Sequence, residues 1–280
     1  MREVFLPRTL DELWDLLLRR PEAVIYAGGT DVLVKLRAGL IAASGLICLE
    51  RIEELKAVRD QGDEVYIGAA TTHRALLADP VIQEHFPVLI RALNVLGSPP
   101  VRNMGTIGGN LVTASPAGDT LPPLYVLDAE VEVRWGGGAK RLPLSQFILG
   151  PGRTSLGPGQ LLTGVRLKKS ADYNVHHFEK VGQRKALAIA VVSLAAVLKV
   201  SDSGLIEKAR LAWGSVGPTV IRSAEVESAL EGRMISRNTL TRAAALAQTA
   251  VSPIDDIRAS GAYRRTVAGN LLLRLTNYTR

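Results

Sequence analysis

The spacing of apolar residues predicts an amphipathic helix near the amino terminus. Leu10, Leu13, Trp14 and Leu17 lie on one face of such a helix. Thr9-Leu10-Asp11-Glu12 fits a capping box, in which a threonine hydroxyl and a glutamate carboxylate satisfy free amides of the first turn. Pro21 ends the segment.

Short apolar runs after this helix predict a mixture of strands and helices. Strands are expected at residues 23–27, 46–49, 64–69 and 160–167, with the first of them buried, and helices at residues 72–78 and 81–96. A Gly136-Gly137-Gly138 turn joins residues 131–135 to residues 141–144 as a hairpin. The first 170 residues are therefore predicted to be an α+β region.

The pattern changes near residue 170, which predicts a second domain. Residues 186–200 and 209–220 are long apolar runs on either side of Ser201-Asp202-Ser203-Gly204, so they predict an antiparallel hairpin. Helices are expected at residues 224–230, 237–250 and 260–275. The predicted carboxy-terminal domain is a sheet followed by helices.

Composition and charge exclude several classes of protein. The chain has 280 residues, of which 47% are hydrophobic, so a disordered protein is excluded. Its 34 Lys and Arg against 27 Asp and Glu give a net charge of +7, without the long basic run of a nucleic-acid-binding arm. The amino terminus lacks the apolar core of a signal peptide, and the longest apolar stretch, residues 186–198, is too short to span a bilayer. We therefore expect a cytoplasmic protein with no membrane span and no nucleic-acid partner.

A single cysteine limits the redox and metal chemistry of this chain. Cys48 alone cannot form an internal disulfide, a CxxC pair, a structural zinc site or a cysteine-bound iron–sulfur cluster. It lies in an apolar run and is expected to be a small buried side chain. His176 and His177 are adjacent in a predicted strand and point to opposite faces, so no metal site is predicted there.

Two glycine-rich segments are the best candidates for a binding site. The first glycine segment is Gly28-Gly29-Thr30-Asp31 and the second is Gly105-Thr106-Ile107-Gly108-Gly109-Asn110. Glycine lets successive backbone amides form a concave nest for phosphate. Two such segments favour a dinucleotide, although either alone could be only a tight turn. Neither matches a Walker A motif or a Rossmann fingerprint, which leaves a different dinucleotide-binding scaffold.

Both segments resemble the FAD-binding loops of the flavoprotein subunits of molybdenum hydroxylases, the family of the carbon monoxide dehydrogenase medium subunit and of the flavin segment of xanthine dehydrogenase. The resemblance covers essentially the whole chain. The matching motifs are residues 26–37, residues 102–111 with 113–119, Phe178-Glu179-Lys180-Val181, Asp256-Ile257-Arg258-Ala259-Ser260 and Tyr263-Arg264-Arg265. Ser98-Pro99-Pro100 departs from the family pattern, in which a glutamine often precedes the apolar residue.

The resemblance implies an FAD-binding PCMH-type fold, similar to vanillyl-alcohol oxidase, followed by the α+β carboxy-terminal domain of carbon monoxide dehydrogenase flavoproteins. The implied FAD-binding domain is residues 1–170, with subdomains of about 1–55 and 56–170, and the second domain is residues 171–280. No catalytic residue and no metal ligand are implied. The implied FAD-binding residues are Ala27, Gly28, Gly29, Thr30, Asp31, Leu96, Gly97, Thr106, Ile107, Gly108, Gly109, Asn110, Asp119 and Leu156.

The same resemblance implies an oxidoreductase subunit that transfers electrons. A large molybdenum–pterin subunit would oxidise the substrate, and a small subunit with iron–sulfur clusters would pass electrons to this FAD and on to NAD, a quinone or oxygen. Lys180 and Arg184 are candidates for cations beside the flavin, with a solvated surface position as the alternative. A stand-alone flavin-binding protein is the second hypothesis. A basic nucleic-acid-binding protein is the third, and it predicts salt-sensitive binding and no yellow colour.

Overall fold

The computed structural model describes residues 2–170, 172–184 and 186–278, and the predicted boundary residue Ala171 lies outside them. The chain forms two compact units, each discontinuous in sequence. The first unit comprises Met1–Pro80, Ser98–Ala114 and Ala129–Lys168, and the second comprises Val81–Gly97, Ser115–Asp128 and Lys169–Arg280.

The fold is a mixture of strands and helices, as predicted. The strands are β1 (Glu3–Phe5), β2 (Val24–Tyr26), β3 (Gly45–Cys48), β4 (Val58–Asp60), β5 (Glu64–Gly68), β6 (Glu130–Trp135), β7 (Gly138–Pro143), β8 (Ile148–Gly150), β9 (Arg153–Thr154), β10 (Leu161–Lys168), β11 (Val175–Val181), β12 (Val192–Val200), β13 (Leu205–Gly214) and β14 (Arg233–Met234). The helices are α1 (Leu10–Arg19), α2 (Val32–Arg37), α3 (His73–Ala78), α4 (Pro80–His85), α5 (Pro87–Val95), α6 (Pro99–Met104), α7 (Ile107–Thr113), α8 (Leu121–Val126), α9 (Leu144–Phe147), α10 (Ala224–Leu230), α11 (Arg237–Ala250) and α12 (Gly261–Leu272), with 3-10 turns at Leu49–Arg51, Glu53–Leu55 and Leu273–Tyr278.

The first unit contains two main sheets. A parallel sheet has the order β1-β3-β2, and α1 packs its buried Leu10 and Leu13 in the same core as Ile47 of the central strand. The Thr9 hydroxyl caps α1 by accepting from the Glu12 amide at 3.1 Å. The second sheet is antiparallel, with the order β4-β5-β10-β6-β7, and it includes the predicted hairpin of β6 and β7.

The second unit is built on an antiparallel sheet with the order β11-β12-β13-β14. Leu194 and Trp213 are paired across β12 and β13, and both lie in an apolar core shared with α10, α11 and α12. The alternate residues Ala195 and Ala212 are also buried, which fits a sheet covered on both faces. Helices α5 and α8 pack against strands of this sheet.

A buried arginine joins the two carboxy-terminal motifs of the second unit. Arg264 is 3% exposed, and its guanidinium donates to the Val191 carbonyl at 2.6 Å and to the Ser215 carbonyl at 3.2 Å. It also donates to Asp256 Oδ1 at 2.6 Å. Because a buried guanidinium requires such partners, this contact holds the two motifs together in the fold.

Several sequence predictions need correction in detail. Residues 81–96 form α4 and α5 rather than one helix, because Pro87 has no amide hydrogen to continue the first of them. Strand β2 is half-buried rather than buried, since it is an edge strand of its sheet. In the predicted strand at residues 186–200, only the part from Val192 is extended in the sheet.

Helices α6, α7 and α8 were not predicted, and two of them occupy the second glycine segment and its approach. The residues that start each of these helices can be recognised in the sequence once the helices are known. Ser98 caps α6 before Pro99, and proline is favoured at the first position of a helix. None of the helices within residues 2–170, 172–184 and 186–278 is long and apolar enough to cross a membrane.

Candidate functional site

The first glycine segment connects β2 to α2 and leaves its amides unengaged. Within the described residues, no acceptor lies within hydrogen-bond distance of the backbone amides of residues 28–31. Gly29 has φ of +70°, a conformation that glycine adopts without strain. Asp31 precedes α2, and its side chain makes no capping bond to the helix. Free amides at a turn into a helix form an anion-binding concavity.

Gly28 is required where the first segment meets the end of α6. A Cβ on Gly28 would overlap the carbonyl group of Met104, so no other residue fits without a shift of the backbone. This close approach places the first glycine segment directly against the start of the second one, at Gly105.

The Asp31 side chain connects the helices that follow the two segments. Its Oδ2 atom accepts a hydrogen bond from Lys35 Nζ at 2.7 Å, one turn along α2. The same oxygen accepts from Thr113 Oγ1 at 3.3 Å, at the end of α7. The negative charge of Asp31 is therefore balanced beside the free amides by Lys35.

The second glycine segment uses its amides within the protein. Ile107 N donates to Thr71 O at 3.0 Å and Gly108 N donates to Ala69 O at 2.8 Å. Gly109 N donates to the Thr106 hydroxyl at 3.0 Å, which makes Thr106 the N-cap of α7. The amides of Ile107, Gly108 and Gly109 therefore already have acceptors within the chain, and the binding of FAD at this segment stays a prediction.

The glycines of the second segment have different surroundings. Gly108 packs against Ala69 so closely that a Cβ would lie 2.7 Å from the Ala69 carbonyl oxygen. Gly109 is exposed, and a Cβ there would meet only the Thr106 hydroxyl, at 3.0 Å. Gly109 is thus the position in this segment where another molecule can approach the backbone.

His73 lies behind the second segment, at the start of α3, and it is buried. Its side chain is 3% exposed, and its backbone N–H donates to Gly105 O at 2.9 Å. Burial, aided by the charge of Arg102, lowers the pKa of His73 to about 4. The imidazole is therefore neutral at physiological pH.

Tyr26 and Leu156 complete the predicted neighbourhood in the first unit. Tyr26 precedes the first glycine segment, and burial together with a hydrogen bond to the Cys48 thiol raises its pKa to about 12. Cys48 is itself buried, as expected. Leu156 is half-buried after β9, where its amide donates to Thr154 Oγ1 at 3.4 Å. Ala27 is half-buried directly after β2.

The remaining predicted site residues belong to the second unit. Leu96 is buried at the end of α5, and Gly97 has φ of +50°. Asp119 is 8% exposed, and its Oδ2 atom accepts from Lys180 Nζ at 2.6 Å. Lys180 also donates to the Val95 carbonyl at 2.8 Å, so α5, Asp119 and β11 meet at one ammonium group. Burial raises the pKa of the Asp119 carboxyl, and the Lys180 charge opposes that rise.

Sequence reasoning missed this ion pair, although it named both residues separately. Lys180 is buried rather than solvated, while Arg184 is exposed and donates to the Leu187 carbonyl. The available signal was a lysine in an otherwise half-buried strand, which requires a charged partner. Among the residues that the structure describes, no group of three or more His, Cys, Asp and Glu side chains is placed to hold a metal.

Comparison with known families identifies the scaffold. Residues 1–168 match the family model described as the FAD binding domain in molybdopterin dehydrogenase. Residues 177–279 match the CO dehydrogenase flavoprotein C-terminal domain. The chain belongs to the FAD-binding medium subunits of molybdopterin dehydrogenases. Its fold class is that of this family, with both family domains present in order.

Similar proteins cover almost the whole of this flavoprotein subunit. It is 30% identical over 268 residues to the nicotinate dehydrogenase FAD-subunit of Eubacterium barkeri, across 94% of this chain and 90% of that one. It is 28% identical to the carbon monoxide dehydrogenase medium chain of Hydrogenophaga pseudoflava, across 91% and 88% of the two chains. The structure of quinoline 2-oxidoreductase from Pseudomonas putida 86 matches with a TM-score of 0.94 at 27% identity, across 99% of this chain and 96% of that one.

Proposed function

We propose that this subunit binds FAD and transfers electrons from iron–sulfur clusters on a partner subunit to NAD, a quinone or oxygen. The observation that most directly supports the cofactor part is the set of free amides at residues 28–31. FAD, when bound, supplies redox chemistry that no amino-acid side chain provides. The role of the chain is to hold and orient that cofactor.

The two glycine segments would bind different parts of the cofactor. We assign the pyrophosphate to the amides of Gly28, Gly29, Thr30 and Asp31, because these four consecutive donors have no acceptor in the described residues. In the second segment, the exposed backbone at Gly109 and the neighbouring Asn110 offer surface contact, while Thr106, Ile107 and Gly108 hold that surface in place. Ala27 and Leu156 would add apolar contacts.

In the second unit, Asp119 is suited to accept a further hydrogen bond. Its Oδ1 atom is buried and has no hydrogen-bond partner in the described part of the chain. A buried carboxylate oxygen without a donor is unfavourable, so a ligand hydroxyl or amide would stabilise it. We propose Asp119, with Leu96 and Gly97, as contacts of the FAD, and Lys180 as the cation that keeps the carboxylate charged.

The proposed partner subunits are inferred from the redox centres that this chain cannot hold itself. Its single cysteine cannot hold a cluster, so the iron–sulfur centres would lie on a small subunit and the molybdenum–pterin centre on a large one. Relatives of the chain are named as medium chains or FAD-subunits, which supports a multi-subunit assembly. A stand-alone flavin-binding protein remains the competing hypothesis.

A ligand series tests the cofactor assignment. The purified chain, together with any subunits that accompany it, is titrated with FAD, FMN and riboflavin while flavin absorbance and fluorescence are recorded. If the amides of residues 28–31 hold a pyrophosphate, then FAD binds most tightly and riboflavin most weakly. Equal affinity for FAD and riboflavin would remove the role assigned to the first glycine segment.

Native co-purification distinguishes the two functional hypotheses. The tagged chain, isolated from its own cells, should bring down a small subunit whose iron–sulfur absorbance is bleached by reductant. A yellow chain that is repeatedly isolated alone would favour the stand-alone flavin-binding protein.

A further inference from the structure

We propose that His73 is a positioning residue, which fixes the second glycine segment in the conformation that presents Gly109 and Asn110 to FAD. The proposal rests on the proposed FAD binding, and it adds a residue that need not touch the cofactor. It concerns the segment that runs from the end of β5 to the first residue of α3, residues 69–73, which we call the platform.

The platform holds the second segment through the backbone. Ala69 O accepts from Gly108 N at 2.8 Å, and Thr71 O accepts from Ile107 N at 3.0 Å. In the opposite direction, His73 N donates to Gly105 O at 2.9 Å. Backbone hydrogen bonds therefore hold residues 105–108, which include the first two residues of α7, against the platform. A shift of His73 would displace the whole segment.

The His73 ring fills the space that Gly105 leaves. A Cβ at Gly105 would lie 3.2 Å from His73 Cδ2 and 2.9 Å from the Val101 carbonyl oxygen. The ring is therefore packed directly on the backbone of the segment. Since packed interiors tolerate little change of volume, the ring and Gly105 form an interlocking pair.

The ring can perform this role only while it is uncharged. His73 Nδ1 is buried and has no hydrogen-bond partner in the described residues, so an imidazolium would carry an unsatisfied N–H in the interior. The charged groups on the packed elements are Arg102 on α6, whose charge disfavours protonation, and Arg74 on α3, which is exposed. Residues 105–110 contain no titratable side chain.

Protonation of His73 should open the second glycine segment, that is, separate it from the platform, in a way that depends on pH. The pKa of His73 is about 4 when the ring is packed, against 6.5 for an unperturbed histidine. The closed conformation is therefore favoured above pH 6.5, and it loses stability as the pH falls towards 4. Linkage predicts that opening, and with it FAD release, rises by up to about 40-fold between about pH 6.5 and pH 4.5.

The test measures FAD release against pH in matched variants. Full chain carrying FAD, with any subunits that accompany it, is diluted into buffers from pH 8 to pH 4.5, and the release rate is followed by flavin fluorescence while far-UV circular dichroism monitors folding. His73→Phe keeps a ring that cannot be protonated, and His73→Asn provides a second uncharged variant if the first does not fold. His85→Asn, which removes a histidine from α4, is the matched control.

The proposal expects steep acid-induced release in the wild type and in His85→Asn, and a flatter profile in His73→Phe or His73→Asn. If His73→Phe and His73→Asn change the release rate by the same factor at every pH, then protonation of His73 does not open the segment. That outcome would overturn the proposal, as would identical profiles for all four proteins. A wild-type chain that binds no FAD at any pH would instead overturn the proposed function, and the inference with it.

Discussion

The two glycine segments differ in what their backbone amides bind. In the first segment the amides of residues 28–31 have no acceptor in the part of the chain that the structure describes. In the second segment the amides of residues 107–110 bind the platform or the turn of α7 itself. Similar composition therefore produces a surface that can bind an anion in one case and an internally satisfied helix start in the other.

The difference shows that glycine has two separate uses here. Gly29 allows a left-handed turn that exposes amides, whereas Gly108 allows the close approach of two backbones. Only the first use leaves backbone amides available to an anion. A glycine-rich motif thus indicates a binding site only after its amides have been shown to lack internal acceptors.

The largest expected effect comes from adding a methyl group at Gly28. Because the Cβ of Gly28→Ala overlaps the Met104 carbonyl, we expect a loss of about 3 kcal/mol in the free energy of unfolding. FAD retention should be lost as well, since the first segment must move. Urea unfolding of the apoprotein and gel filtration with FAD measure the two effects.

Gly109→Ala is the matched control for this substitution. It faces open space apart from the Thr106 hydroxyl, so its free energy of unfolding should change by less than about 1 kcal/mol. Its FAD affinity should nevertheless fall, because Gly109 is the proposed contact surface. If Gly109→Ala binds FAD as the wild type does, then the cofactor does not approach this position.

The sequence predicted the family better than it predicted the geometry of the candidate site. Local signals such as the Thr9 cap, the Gly136-Gly137-Gly138 turn and helix 224–230 depend on neighbouring residues, and the structure confirms each of them. The motif order also predicted the family correctly. Both kinds of inference use information that lies within short stretches of chain.

Long-range contacts could not be predicted in this way. The acceptors for Ile107 and Gly108 are Thr71 and Ala69, more than 30 residues away, and nothing in the motif indicates them. Residues 81–97 and 115–128 belong to the second compact unit, although they lie within the first predicted domain. The domain boundary at residue 170 and the cofactor contacts therefore stay predictions.

A smaller effect is expected when the second segment is made to resemble the first. Thr106→Val removes the hydroxyl that accepts from Gly109 N, so that this amide loses its acceptor. Loss of such a cap costs about 1 kcal/mol of stability. Urea unfolding should show this loss for Thr106→Val and a change of only a few tenths of a kcal/mol for Thr106→Ser. Equal loss in both variants would mean that the hydroxyl is not the cause.

The smallest expected effect tests whether the two segments are connected through Asp31 and Thr113. Their hydrogen bond is 3.3 Å long and half-exposed, and Asp31 keeps Lys35 as a partner when Thr113 is removed. A double-mutant cycle with Thr113→Val and Asp31→Ala should therefore give a coupling of about 0.5 kcal/mol in the free energy of unfolding.

The same double-mutant cycle, measured on the FAD dissociation constant, asks whether this hydrogen bond also affects cofactor binding. If the hydrogen bond between Asp31 and Thr113 also aligns the first glycine segment with the second, the coupling is larger in the FAD-bound protein than in the apoprotein. Equal coupling in both states would show that the two segments bind the cofactor independently. They would then differ in what their amides bind and would also not be coupled to each other through FAD.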